Sequence, residues 1–492
     1  MKPLLEVKKK YFFGVIVLLS AIYGFGQSPS SSVVKISPHT IRIDNGTRYS
    51  GEMGYVKVPE FYADEQAQYI EIPFYRIKTT HKNPLPPLFV LPGGPGDNPS
   101  VLQQLEDILP ILIPYSFRSD VIVVEQRGNG LSKPNLVCPG AFEMPLNRPL
   151  DISKFSKTYV AYIKKCSSYW QEQNRNLRGY NVLEMVQDIE MVRKALSYEK
   201  IMILGGSFGS HHGLAYLKAH PNRVDRAIFD SPEGLKHTIK LPSEVDRILE
   251  QLSQLVAKDP VLSKKIPSFL SLVKEVLHEL DRNPVTETVI HPMTQEKVSI
   301  VLGKYDLQLI TALELGRMGY RELPFRYLQM KEKNFSWAAN YAIHIRVNQR
   351  KNLMAVLTDC ASGATLGRWR QVIREGNEAI LGDALNNINF MACRELPLRD
   401  IMGEPQFNCV SDVPILLISG SQDARTPPKN AQEIMLNHRN IRLLNVEYGT
   451  HDLFREVYDQ LRPIMTGYFA AEHPLQYKVP KEIYADLDFR ME

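Results

Sequence analysis

The chain has 492 residues, 44% of them hydrophobic and 23% charged, with a net charge of +5. These are ordinary globular values and exclude a disordered or fibrous chain. No Lys/Arg block follows the first ten residues, so nucleic-acid binding has no electrostatic footprint. The length exceeds one typical core, which predicts a large domain with an insertion, or two domains.

Lys8, Lys9 and Lys10 precede an apolar run, Tyr11 to Phe25, with Gly24 and Gly26 just before Gln27. A basic start, a short apolar stretch and small residues at the end predict a signal peptide over residues 1–26. The run falls short of the roughly 20 residues a membrane span needs, with an uncleaved anchor as the alternative. The chain is therefore expected to be exported: periplasmic, secreted or tethered by that segment. Export permits disulfides. Of the five cysteines, Cys138 and Cys166 flank one connection and are expected to pair; for Cys360, Cys393 and Cys409 the pairing is open. No Cys-x-x-Cys or His-x-x-x-His cluster points to a metal.

Tyr55–Val58 and Tyr69–Ile77 read as strands. Leu88–Leu91, Val121–Val124, Ile201–Leu204 and Ala227–Phe229 are short apolar runs ending at turn signals, as in strands buried on both faces. Helical spacing over Asn181–Leu196 and Phe208–Ala219 separates them. That alternation predicts an α/β fold with a mostly parallel sheet flanked by helices. From about Leu235 to Pro405 the periodicity is mostly helical, as over Val245–Ala257, Phe269–Leu280 and Asp306–Met318. The α/β pattern returns with Val413–Ser419, Pro428–Leu436 and Ile441–Val446, before a helical stretch from Leu453 to Phe469. The predicted organisation is a core of residues 27–234 and 406–492, interrupted by a helical cap over 235–405.

Gly205-Gly206-Ser207-Phe208-Gly209 lies between an apolar strand and a helix. That context suits a nucleophile elbow, in which a serine projects from a tight turn. The Phe208 N–H, at the helix start, can face a developing oxyanion. Pro92-Gly93-Gly94-Pro95-Gly96 follows Leu88–Leu91 and supplies the second donor, with the Gly94 N–H expected and Gly93 as the alternative. Serine needs a base, and the base an orienting acid. Asp423 follows strand Val413–Ser419 and His451 follows strand Ile441–Val446, the order Ser, acid, His. His211, His212, His438 and His473, and Asp412, are set aside by position. Glu125-Gln126-Arg127-Gly128-Asn129-Gly130 reads as a structural loop in which Arg127 ties neighbouring loops together.

Taken together, these motifs resemble the proline iminopeptidase and tripeptidyl aminopeptidase branch of the α/β-hydrolases, over most of Pro87–Pro232 and Ile415–Phe469. Glu125 stands where that family usually has Asp, and Asp452 follows the histidine where Gly is usual. The resemblance implies an α/β-hydrolase fold and a cap over the site. It also implies a serine aminopeptidase, free of cofactors, that releases amino acids or short peptides from free N-termini. Such substrates call for carboxylates to hold an ammonium, and Glu233 and Glu395 are the candidates. No stable protein partner is implied. A serine esterase on the same machinery, and a non-catalytic binding module, are the competing readings.

Overall fold

The structure, a computed structural model, describes residues 33–489 except 44, 98, 348, 350, 387–389, 400, 402–410 and 437. The expected signal peptide and Cys409 lie outside these residues. Among the described residues there are twelve strands: β1 (Val33–Arg42), β2 (Arg48–Pro59), β3 (Tyr69–Ile77), β4 (Leu88–Leu91), β5 (Val121–Val124), β6 (Ile201–Gly206), β7 (Val224–Asp230), β8 (Val285–Ile290), β9 (Lys297–Leu302), β10 (Ile415–Gly420), β11 (Ile441–Glu447) and β12 (Glu482–Tyr484). Ten of them form one sheet in the order β1-β2-β3-β5-β4-β6-β7-β10-β11-β12. From β5 through β12 the pairing is parallel. β1-β2 and β2-β3 are antiparallel hairpins, and β3 also pairs antiparallel with β5.

The apolar runs become central strands because they have core on both sides. Along β6, Ile201 and Ile203 enter one hydrophobic cluster and Met202 and Leu204 another. That period of two lets an unbroken apolar run face two layers. Helices Ile152–Glu172, Val182–Ala195 and Phe208–Ala219 cover the first face. Helices Leu105–Leu112 and Tyr458–Ala470 cover the second. Asp151 and Asn181 cap two of these helices, each accepting two backbone N–H bonds with its side chain.

The insertion between β7 and β10 has a core of its own, built by helices Pro242–Lys258, Phe269–Arg282, Lys304–Glu314 and Leu323–Lys331. It is less uniformly helical than its periodicity predicts. β8 and β9 pair as an antiparallel hairpin, with Val285, Thr286, Thr288, Val289 and Ile290 supplying β-branched chains. Helix Leu353–Ser362 joins the core of the sheet rather than that of the cap. The fully buried Arg346 binds the two parts together: it pairs with Asp306 and donates to the carbonyls of Pro145, Arg148 and Val301. Cys138–Cys166 forms a disulfide, and a second joins Cys360 to Cys393. Among the described residues no helix is long and apolar enough to cross a membrane.

Candidate active site

Parallel strands deliver their carboxyl ends to one edge, and β4, β6, β7, β10 and β11 all do so here. Ser207 follows β6 with φ 54° and ψ −125°, a conformation that costs an L-residue on the order of 1–3 kcal/mol. The surroundings enforce it: Ser207 N–H donates to the Asp230 carbonyl of β7 (3.1 Å), and Ser210 N–H returns to the Ser207 carbonyl (2.9 Å). Close packing leaves no room for a side chain at Gly209, where a Cβ would come within 2.1 Å of the Leu91 carbonyl. The helix Phe208–Ala219 begins at once, so the Phe208 N–H is the first of its free donors.

Asp423 follows β10 and is fully buried. It accepts hydrogen bonds from Arg425 N–H (2.8 Å), Thr426 N–H (2.9 Å) and the Thr426 hydroxyl (2.7 Å). His451, in the loop after β11, places Nδ1 2.8 Å from Asp423 Oδ2. Burial disfavours the Asp423 charge, but His451 and the Thr426 hydrogen bonds outweigh it and hold the carboxyl below its ordinary range. The Thr426 hydroxyl also lies 3.1 Å from His451 Nδ1, so it braces acid and imidazole together. In the sequence, the Thr426-Pro427 pair three residues after the acid is the signal for this brace.

The glycine loop after β4 lies against the serine: a Cβ on Gly93 would stand 3.5 Å from Ser207 Cβ. Gly94 has φ +105°. Gln126, buried after β5, moulds this loop with one amide. Its Nε2 donates to the carbonyls of Pro92 (3.1 Å) and Gly93 (2.9 Å), and its Oε1 accepts Gly96 N–H (2.8 Å). In a trans peptide the N–H opposes the C=O. Pinning those two carbonyls to Gln126 therefore turns the Gly93 and Gly94 N–H groups the other way. Asn129 adds a bond to the Asp97 carbonyl (3.1 Å), and Ser100 Oγ donates to Glu125 (2.6 Å). Arg127 ties other segments: it pairs with Asp188 (2.6 and 2.7 Å) and donates to the carbonyls of Glu60 and Gly179 (both 2.6 Å).

The two glutamates chosen to receive an ammonium do not stand free at this edge. Glu233 is buried behind the elbow and neutralised by Lys240 at 2.5 Å. Glu395 lies on the surface, paired with Lys164 of helix Ile152–Glu172 at 2.8 Å. Other carboxyls share a cleft wall with His451. A cleft of about 650 Å³ runs between core and cap, and Asp97, Glu314, Arg317, His451 and Asp452 are in its wall. Burial raises the Asp97 carboxyl above its ordinary range, against the pull of Arg425 and His451. Burial likewise raises Glu314, against a hydrogen bond from Tyr341. Asp230, beneath the elbow, is pushed up to about 7 by burial. His211 is buried and stacks on Phe208 with centroids 5.4 Å apart, a packing role. Among the described residues no group of His, Cys, Asp and Glu is placed to hold a metal ion.

Comparison with known proteins agrees with this geometry at the level of the fold. A family model described as alpha/beta hydrolase fold matches residues 86–454. A stretch of 150 residues is 27% identical to Serine protease Hip1 of Mycobacterium tuberculosis (strain ATCC 25618 / H37Rv), and equally to that of Mycobacterium bovis. It covers 29% of this chain and 28% of the relative, so the match spans under a third of the curated protein. Among solved structures, a serine hydrolase from Cycloclasticus zankles aligns at 13% identity and TM-score 0.36, over 88% of this chain and 98% of its own. An esterase from Exiguobacterium antarcticum aligns at 14% and 0.35, over 82% and 97%.

Proposed function

The chain belongs to the alpha/beta hydrolase fold family, and from that premise we propose that it is an exported serine aminopeptidase that cleaves short peptides behind a free N-terminus. In this reading Ser207 attacks the scissile carbonyl while His451 Nε2 takes its proton. Asp423 holds the opposite ring nitrogen and stabilises the imidazolium. The N–H groups of Phe208 and Gly94, with Gly93 adjacent, receive the oxyanion. His451 then protonates the leaving amine, and water frees the acyl-enzyme by the reverse sequence.

The observation that carries the peptidase reading is the cleft wall: Asp97 and Glu314 stand in it together with His451. A carboxylate pair beside the scissile position suits an ammonium, and a cap that closes around it limits substrates to chain ends. They replace Glu233 and Glu395 in that role. Support for export comes from Lys8–Lys10 with the apolar run behind them, and from the two disulfides, which suit an oxidising compartment.

The test is hydrolysis of aminoacyl and tripeptidyl arylamides, free and N-acetylated, by the wild type and Ser207→Ala. Turnover of free-amine substrates alone, abolished in the variant, is expected. Ser207-dependent cleavage of simple esters with no arylamide turned over would replace this reading with an esterase.

A further inference from the structure

Two arginines, one in the cleft wall and one beside it, have no role in the chemistry above. Arg425 lies two residues past Asp423, and its own N–H is bonded to that carboxylate at 2.8 Å. Its aliphatic stem packs on Gly316 of the cap, where a Cβ would come within 2.6 Å of Cγ and 3.3 Å of Nε. The Gly316 carbonyl in turn accepts His451 N–H at 3.3 Å. The guanidinium is therefore fixed to the same loops that hold the acid and the histidine. Arg317, the next cap residue, is exposed and stands in the cleft wall.

Two fully buried arginines of this protein are saturated. Arg127 and Arg346 each combine a carboxylate with two or more carbonyls. Among the described residues Arg425 has neither: its neighbours act on it only through space. Burial and the facing Arg317 oppose its charge, while Asp423, Asp452 and Tyr341, and more weakly Asp97 and Glu314, favour it without closing an ion pair. Asp423 is already committed to His451 and Thr426. Glu314 is engaged by Tyr341. Two like charges set against each other beside a cleft, one of them largely desolvated and without an ion pair, are relieved by an incoming anion. A planar guanidinium matches a carboxylate in shape as well as charge.

We propose that Arg425 and Arg317 form a subsite for a substrate carboxylate beside Ser207 and His451, so that short peptides bearing a carboxylate near the scissile bond are the favoured substrates. The inference rests on the aminopeptidase reading and adds to it a second charged anchor. Asp97 and Glu314 receive one end of the substrate, and the arginines receive an anion elsewhere on it. The carboxylate is either the peptide's C-terminus or an acidic side chain.

Calorimetry on the full Ser207→Ala protein separates these sources without requiring turnover. The probes are Ala-Ala-Ala as the free acid, its C-terminal amide, and the amide of Ala-Ala-Glu. At least one carboxylate-bearing peptide should bind roughly tenfold or more tightly than the neutral amide. A preference for the free acid identifies the terminal carboxylate, and a preference for the Glu amide identifies the side chain. Adding Arg317→Ala or Arg425→Gln should bring the ratio to within about twofold, and Arg425→Lys should keep part of it. Arg317 is exposed, so its variant retains the test if Arg425→Gln fails to fold. Equal binding of all three peptides, no binding of any, or a preference that survives both substitutions would overturn the subsite. Turnover of neutral aminoacyl arylamides by the wild type is independent of it, so the two readings fail separately.

Discussion

The carboxyl edge of the sheet and the cap-side wall of the cleft hold their charges in opposite ways. At the edge the groups that hold the acid and the glycine loop are committed. Asp423 takes bonds from Arg425, Thr426 and His451, and Gln126 uses both ends of its amide on one loop. At the cleft wall, Arg317 and the neighbouring Arg425 make no ion pair among the described residues, and Asp97 and Glu314 keep raised carboxyls. Groups that act on the reacting bond gain from being fixed beforehand, since no reorganisation then accompanies the charge that develops. Groups that recognise a substrate gain from being left unsatisfied, because a saturated ion pair has little to offer a ligand.

Substitutions at the edge should therefore strike kcat, and those in the wall should strike binding. The largest effect is expected at Asp423→Asn. Loss of the carboxylate that orients His451 should lower kcat by about 10⁴-fold with circular dichroism unchanged. Gln126→Ala comes next. Releasing the Pro92 and Gly93 carbonyls frees the loop that aims the oxyanion donors, so steady-state kinetics should show kcat down roughly 10- to 100-fold and KM little moved. Glu314→Gln should reverse that split, raising KM for free-amine substrates by roughly tenfold with a smaller change in kcat. If Glu314→Gln lowered kcat alone, the division between edge and wall would be wrong.

The smallest effect is one of pH. Burial pushes the Glu125 carboxyl up to about 7. The unfolded chain ionises Glu125 near the ordinary glutamate value, so between there and about pH 7 it releases a proton that the folded protein retains. Stability from this residue is therefore full below that window and is lost as pH rises through it. Glu125→Gln has no proton to lose. Its Tm should gain on that of the wild type when both are moved from about pH 5 to about pH 8.

What the sequence disclosed follows the same division. Ser207, Asp423 and His451 were legible because each sits just past an apolar run, and an apolar run in a parallel sheet fixes which edge its end reaches. Cys138 and Cys166 were legible because they bracket a single connection. Gln126 was not: its role depends on the loop after β4, and nothing in Glu-Gln-Arg-Gly says which of its polar chains turns toward that loop. Glu233 looked available because Lys240, on the following turn, carries no local signal of pairing. Asp97 and Glu314 come from distant segments that only the cap brings together. The hairpin β8–β9 was missed although Val285–Ile290 has strand composition, because the helices on either side dominated the pattern. β1 and β12 are sheet edges, where burial is too slight to leave a hydrophobic signature.

β7 and β10 are hydrogen-bonded neighbours, Ala227 opposite Ile415. To the sheet, the whole cap is thus one link between adjacent rows, and lengthening such a link is cheap: each doubling adds only about 0.6 kcal/mol of closure entropy. Insertions and deletions between these two strands can accumulate at little thermodynamic cost to the rest of the molecule. A change of diet in such a hydrolase is therefore open to rewriting a single segment, with the strands that carry the chemistry inherited intact.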